Sequence, residues 1–178
     1  MDDIEDKLGC SKKTLYVFFE NRKDLVLKVI SNDMKKHELD ISNVIAEKLH
    51  PIEEILSLNV IAINKLKTCH PSFQYDLKKY YPQSWNIFDK KNRQLTYKVS
   101  IQNLKKGIKE GCYRKEINPE IISKIFSEKI DVIFNSLAFE AINVSFSDVY
   151  KELINHHVLG IVNEEGKKYY LNFQKTTK

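Results

Sequence analysis

The sequence predicts an all-α protein in which a helix-turn-helix precedes a larger helical bundle. Apolar residues recur at three-to-four spacing along most of the 178-residue chain, which is typical of amphipathic helices. Five glycines and four prolines are too few for the many turns of a β-sandwich or barrel. With 42% hydrophobic and 30% charged residues, the composition is that of a folded globular protein.

Three helices are expected before residue 46. A short helix over residues 3–8 ends at Gly9, a residue suited to the left-handed conformation after a helix. Ser11 is a typical N-cap for a second short helix, whose buried side is predicted to be Leu15, Phe18 and Phe19. Asn21 caps a third helix that the apolar spacing extends to about residue 45.

The next helices are marked by prolines and a glycine. Pro51 is placed to open a fourth helix. Pro71 and Pro82 interrupt a looser, aromatic-rich stretch between residues 69 and 88. A long helix is then expected from Ser84 to about Glu110, where a glycine follows.

The carboxyl-terminal part begins with a strong start signal. Asn118-Pro119 combines an N-cap with a proline at the first helical position. Asp148 lies early in a last helix. Residues 163–173 contain Glu165-Gly166, so an extended arm or short strand is expected there.

Charge and cysteine content narrow the class of protein. The net charge of +5 is compatible with a polyanionic partner such as DNA. Three cysteines without CxxC spacing predict reduced thiols and a cytoplasmic protein rather than a zinc or disulfide framework. The acidic amino terminus and the lack of long apolar runs indicate neither a signal peptide nor a membrane anchor. Scattered histidines and the lack of a cofactor or catalytic motif predict no metal, no cofactor and no enzyme.

The start of the second helix has the chemistry of a DNA-reading surface. Cations and hydroxyls there would face phosphates and base edges in the major groove, and further cations begin the third helix. The predicted DNA-binding residues are Ser11, Lys12, Lys13, Thr14, Tyr16, Arg22 and Lys23. Taken singly, lysines at such positions more often belong to a solvated helix face than to a DNA contact.

Residues 4–25 have the sequence I-E-D-K-L-G-C-S-K-K-T-L-Y-V-F-F-E-N-R-K-D-L. This segment resembles the signature of the tetracycline-repressor (TetR) family, which is roughly I-A-x-x-x-G-V-S-K-x-T-L-Y-x-Y-F-x-x-K-E-x-L. Residues 109–119, K-E-G-C-Y-R-K-E-I-N-P, are similar to the family's segment between its seventh and eighth helices. The chain departs from this pattern at Glu5, where the family has a small alanine, and at Arg22, where it has a lysine. The family also has a first helix upstream of the position of Met1.

The resemblance implies a DNA-binding domain over residues 1–45, without the family's first helix, and a ligand-binding and dimerisation domain over residues 46–178. It implies a repressor that leaves its double-stranded operator when a small molecule binds among the central helices. Aromatic residues near the helix breaks predict an apolar or aromatic effector. The expected ligand-binding residues are Phe73, Tyr80, Tyr81, Trp85, Phe88 and Tyr97, with core packing as the alternative.

The resemblance also implies a homodimer, with the last two long helices pairing in a four-helix interface. Their apolar band is wide for one small bundle, although an intrachain core is the alternative. The expected interface residues are Ile122, Phe126, Ile130, Ile133, Phe134, Leu137, Val149, Leu153 and His157. The competing hypothesis for function is a helical ligand-binding or dimerisation protein that has lost DNA binding.

Overall fold

The computed structural model describes residues 2–68, 70, 72–129 and 144–176. Throughout these ranges the regular elements are helices, apart from one isolated antiparallel bridge between Tyr113 and Val162. In chain order they are α1 (Asp2–Leu8), α2 (Lys12–Phe18), α3 (Arg22–Ala46), α4 (Pro51–Thr68), α5 (Phe73–Tyr80), α6 (Pro82–Lys109), α7 (Pro119–Glu128), α8 (Phe146–Ile161) and α9 (Glu164–Thr176). The predicted all-α class is confirmed.

The predicted helix boundaries rest on side-chain caps that the structure contains. Ser11 Oγ accepts from the backbone N–H three residues on at 3.2 Å, and Asn118 Oδ1 does the same at 3.1 Å. Asn21 Oδ1 accepts from the second and third N–H groups of its helix at 2.9 and 3.0 Å. Gly9 and Gly111 have φ of +63° and +78°, the left-handed conformation that ends a helix at low cost.

The prediction of an extended arm over residues 163–173 is wrong, because this segment forms most of α9. Asn163 Oδ1 accepts from the N–H of Gly166 at 2.9 Å and so starts the helix. Gly166 is not a turn residue here. It is buried against the carbonyl oxygen of Cys112, which a Cβ would overlap. Close packing, rather than backbone freedom, therefore accounts for this glycine, while Tyr170 of the same helix is fully buried.

Two apolar clusters hold the helices together. The larger joins α4, α6, α8, α9 and the loop after α6, and contains Ile52, Ile55, Leu104, Cys112, Tyr113, Ile154, Val158, Ile161, Val162 and Tyr170. The smaller joins α3, α5 and α6, and contains Ile30, Met34, Leu77, Trp85 and Phe88. Helix α6 begins at Pro82, two residues before the expected start, and its 28 residues reach both clusters.

A buried polar network fixes α4 against α6. The Tyr113 hydroxyl lies 2.8 Å from Asn103 Oδ1 and 3.1 Å from the Pro51 carbonyl oxygen. Asn103 Nδ2 donates to that carbonyl and to Glu54 Oε1, both at 2.9 Å. Lys106 Nζ donates to Glu54 Oε2 at 2.7 Å. The buried carboxylate is thus paired, and the ends of two long helices are held in one arrangement.

Within the described ranges, no helix is both long and apolar enough to cross a membrane. No group of three or more His, Cys, Asp or Glu side chains there is placed to hold a metal ion.

Candidate functional site

Helices α1 and α2 are two short helices joined by a three-residue turn, which is the geometry of a helix-turn-helix. The turn closes on Glu5, whose backbone carbonyl accepts from the N–H of Gly9 at 2.8 Å. Leu15 is the buried residue of α2, and Phe19 is half-buried. The expectation that Phe18 is buried is wrong, because 67% of its surface is exposed at the last residue of the helix.

Every residue predicted to contact DNA lies at the surface, as a contact residue must. The set is Ser11, Lys12, Lys13, Thr14, Tyr16, Arg22 and Lys23, each in the exposed class. Five of them lie at the cap or on the first turns of α2, and the other two open α3. Their role in DNA binding stays a prediction, and their exposure at the surface is compatible with it.

Glu5 has a position that its sequence alone did not reveal. Its carboxylate accepts a hydrogen bond from the backbone N–H of Lys12, the first residue of α2, and lies 3.8 Å from the same residue's ammonium. A residue that departs from the family signature therefore caps the candidate recognition helix. Because Glu5 lies beside one of the two adjacent cations, Lys13 is the better candidate for a contact that adds net charge.

The end of α2 is tied to α3 through Lys28. Its ammonium donates to the Phe18 carbonyl oxygen at 3.1 Å and to Asp24 Oδ2 at 2.9 Å. It also lies 5.4 Å from the centre of the Phe19 ring. The Asp24 carboxylate accepts a hydrogen bond from the backbone N–H of Glu20 at 3.1 Å. The pKa of Asp24 is lowered, and its hydrogen bond to Lys28 is the largest of several causes. These contacts couple the orientation of α2 to that of α3.

A cavity of about 400 Å³ lies among the central helices. Helices α3, α4, α6 and α8 supply most of its wall, and α7 contributes Phe126. The α3 residues on the wall are Asp33, His37 and Ile41, which recur every four residues and so share one face of the helix. About half of the other lining residues are polar, but most of the surface that they present to the cavity is apolar, as in a site for a small molecule.

Two of the six residues predicted to bind ligand lie on this wall, namely Phe73 and Phe88. Trp85 and Tyr81 pack instead in the smaller apolar cluster, and Tyr80 is 55% exposed. Tyr97 is half-buried and does not line the cavity. Aromatic content did not identify the wall, since the cavity-facing side of α6 is set by helical phase and is largely polar.

Five of the nine residues predicted for the dimer interface are described, and four of these five contact the cavity or the core of their own chain. Phe126, Leu153 and His157 lie on the cavity wall, where the Phe126 and His157 rings stack with centres 4.4 Å apart. Ile122 packs against the larger cluster, and Val149 is half-buried. The remaining four, Ile130, Ile133, Phe134 and Leu137, lie outside the described residues.

The exposed apolar surface of α7 is a different face from the predicted one. Ile121 is 57% exposed and Ile125 is 48% exposed, and the two are one helical turn apart. On α8, Leu159 is 40% exposed. The inward set contacts its own chain, and its role in a dimer stays a prediction, while the outward set is exposed in the single chain.

Three titratable side chains of the wall are neutral near pH 7. Burial lowers the pKa of His157 to about 4, and the charge of Lys129 acts in the same direction. Burial also raises the pKa of Tyr150, which therefore keeps its proton. Burial, and then the charge of Lys65, lowers the pKa of His37. Lys65 itself pairs with Asp33 at 2.7 Å where both side chains reach solvent.

Most residues of the wall were not predicted to bind ligand, and the polar ones among them include Asn59, Tyr150 and His37. Asn59 interrupts the apolar stripe of α4, and a polar residue in such a stripe was the available signal. Tyr150 and His37 carry no such signal, because their meeting in one cavity depends on how α3, α4 and α8 cross.

No protein-family model matches the chain. The chain is 23% identical over 138 residues to YvaF of Bacillus subtilis (strain 168), which is described as an uncharacterized HTH-type transcriptional regulator. The aligned region covers 76% of this chain and 70% of that protein.

Solved structures show the same architecture. The ketosteroid transcriptional regulator KstR2 of Mycobacterium tuberculosis superposes with a TM-score of 0.63 at 16% identity, over 91% of this chain and 84% of that one. The fatty acid degradation regulator FadR from Bacillus halodurans gives 0.62 at 13% identity, over 84% and 78%. The chain therefore has the fold of these transcriptional regulators, which is the fold that the resemblance to the tetracycline-repressor family implies.

Proposed function

We propose that the chain is a sequence-specific, DNA-binding transcriptional regulator, a repressor released from its operator by a small molecule in the cavity. The observation that carries this proposal is that one helix, α3, serves both parts of the molecule. It starts directly after the candidate recognition helix, and its second half forms a wall of the cavity. The similarity to three proteins described as transcriptional regulators supports the same function.

The geometry supports a lever mechanism. His37 lies fifteen residues after Arg22, so about 22 Å of rigid helix separates the cavity wall from the start of α3. A ligand that fits one tilt of α3 better than another shifts the population toward that tilt. Because Lys28 ties α2 to α3, the recognition helix would move with the helix that carries it.

DNA contact would divide between the two helices. Lys13, Thr14 and Tyr16 on α2 would face the major groove, while Arg22 and Lys23 at the start of α3 would hold phosphates. The side chains of the latter pair would do this work, because Asn21 already occupies the N–H groups of Lys23 and Asp24.

We further propose that the regulator is a cytoplasmic homodimer. A seven-residue recognition helix reaches few base edges, whereas two copies about 34 Å apart would read two half-sites on one face of DNA. The exposed pair Ile121 and Ile125 on α7 is the apolar surface that a second copy would cover. A change in the tilt of α3 would alter the spacing of the two recognition helices and lower operator affinity.

Selection of double-stranded DNA from a random pool by the full chain tests the DNA-binding part. Enrichment of one sequence is expected, with affinity that falls linearly in log–log form as salt increases. Lys13→Ala should weaken binding to the selected site and make the salt dependence shallower by about one. Tyr16→Phe should weaken it by removing a phosphate bond.

Lys168→Ala is the matched control, because Lys168 is an exposed lysine on α9 that is not assigned to DNA. It should leave operator affinity unchanged. Failure to enrich any sequence, or a flat salt dependence, would contradict the function. Wild-type affinity in both Lys13→Ala and Tyr16→Phe would contradict the assignment of residues.

A further inference from the structure

Asn59 is a buried side chain with only one of its two polar atoms hydrogen-bonded. It lies on the cavity wall in α4, and 6% of its surface is exposed. Its Oδ1 accepts from the Tyr150 hydroxyl at 2.9 Å. Its Nδ2 has no hydrogen-bond partner within the described part of the chain. Buried donors are almost always paired in folded proteins, so this one points to a ligand as its partner.

The orientation of the Asn59 amide follows from Tyr150. Burial raises the pKa of this phenol, so it carries a proton that needs an acceptor. Asn59 Oδ1 is the acceptor it finds, at 2.9 Å. An amide turned the other way would leave the phenol proton without that acceptor. The Nδ2 donor is therefore the group that remains for a ligand.

The surroundings of this donor favour an uncharged ligand group. Its nearest polar partner is a neutral phenol, and His157 on the same wall has a pKa of about 4. Ile55 and Leu153 contribute apolar wall. A buried carboxylate needs a cation or several donors, and a single neutral amide would not compensate for its lost hydration. A carbonyl oxygen needs only one good donor.

We infer, on the basis of the ligand cavity in the proposed function, that Asn59 Nδ2 binds the uncharged carbonyl oxygen of an otherwise apolar molecule. The class comprises ketones, esters and amides whose hydrocarbon part fills the apolar wall. Asn59 determines specificity, and Tyr150 is a positioning residue that holds the amide with its donor available. The cavity volume of about 400 Å³ limits the ligand to a single small molecule.

Four probes of matched length test this inference: 2-decanone, decane, 2-decanol and decanoate. Their affinities for the full chain are measured by displacement of the neutral fluorophore N-phenyl-1-naphthylamine. In Asn59→Leu the affinity for 2-decanone should fall about tenfold relative to wild type, while decane binds as tightly or more tightly. Retained decane binding shows that the variant folds with an intact cavity.

Tyr150→Phe is the matched second variant, because it keeps the Asn59 donor and removes the group that orients it. It should reduce 2-decanone affinity by less than Asn59→Leu does, and it should leave decane unchanged. A purely structural role for Asn59 would instead lower the affinities for ketone and alkane equally. That equal loss would overturn the inference.

A second outcome would also overturn it. Tighter binding of decanoate than of 2-decanone to wild type would show that a cation such as Lys129, also on the wall, selects the ligand. A third outcome separates this inference from the proposed function. If decane binds and weakens operator binding, but wild type does not bind 2-decanone more tightly than Asn59→Leu does, this inference fails and the effector part of the proposed function stands. If no probe displaces the fluorophore, the effector part of the proposed function fails with it, whereas DNA binding is tested separately.

Discussion

The ammonium of Lys28, on α3, donates a hydrogen bond to the carbonyl oxygen of Phe18, the last residue of the candidate recognition helix, at 3.1 Å. A last-turn carbonyl has no partner within its own helix, so a cation from the next element satisfies it and favours the negative end of the helix dipole. The bond therefore sets the angle at which α2 leaves α3.

Replacement of Lys28 by methionine should loosen that angle with little effect on global stability, because the side chain is half exposed. We expect operator affinity to fall about tenfold, while the free energy of unfolding falls by less than about 1 kcal/mol. Fluorescence anisotropy on the selected DNA and urea denaturation measure the two quantities. Lys36→Met, an exposed lysine further along α3, is the control. Equal losses of affinity in both variants would indicate a general charge effect instead.

A dimer that uses the outward face of α7 should depend on Ile121 and Ile125. The double variant Ile121→Asp with Ile125→Asp would bury two carboxylates in the interface, and we expect it to be monomeric. Light scattering after size exclusion should give twice the 20.9 kDa chain mass for wild type and one chain mass for the variant. Val60→Asp, at a position 56% exposed on α4, should stay dimeric. A monomeric wild type would contradict the proposed assembly.

Gly107 and Gly160 are both helical glycines, and they should respond oppositely to alanine. A Cβ at Gly107 would overlap the ring of the fully buried Tyr113, so Gly107→Ala should lower the free energy of unfolding by about 2 kcal/mol. A Cβ at Gly160 meets nothing within 4 Å, so Gly160→Ala should raise it by about 0.5 kcal/mol through helix propensity. Denaturant titration decides; a stabilised Gly107→Ala would show that the ring can move aside.

His157 should make the fold sensitive to mild acid. Its pKa is about 4 in the folded chain because burial penalises the charged ring, against an ordinary value of 6.5. Above pH 6.5 the residue is neutral in both states and contributes no pH dependence. As the pH falls from 6.5 to 4, only the unfolded chain takes up this proton, so stability is lost by about 3 kcal/mol across that window.

The variant His157→Gln removes this titration and should flatten the stability curve between pH 6.5 and 4. His156→Gln, a change at the exposed neighbouring histidine, should alter the wild-type curve much less, because the charge of His156 is the smallest of the three causes that lower the His157 pKa. His37, whose pKa burial also lowers, acts in the same direction in wild type and both variants, so the difference between curves isolates His157. Parallel curves for wild type and His157→Gln would contradict the role assigned to this burial.

The sequence by itself determined those features that depend on neighbours along the chain. Ser11, Asn21 and Asn118 cap helices as predicted, because an N-cap bonds to N–H groups only two or three residues away. The exposed cations at the start of α2 were likewise identified from local spacing and from resemblance.

The tertiary structure decided which face of each helix meets the cavity, the core or solvent. Phe126 and His157 were predicted to lie in the interface because they continue the apolar spacing of their helices. That spacing does not distinguish a partner within the chain from a second copy, and here the two rings stack on each other. The sequence predicts Gly166 in an extended arm, whereas the structure places it in a helix, packed closely against the Cys112 carbonyl oxygen. The meeting of Asn59 with Tyr150, 91 residues apart, could not be predicted from one sequence, because it depends on how α4 and α8 cross.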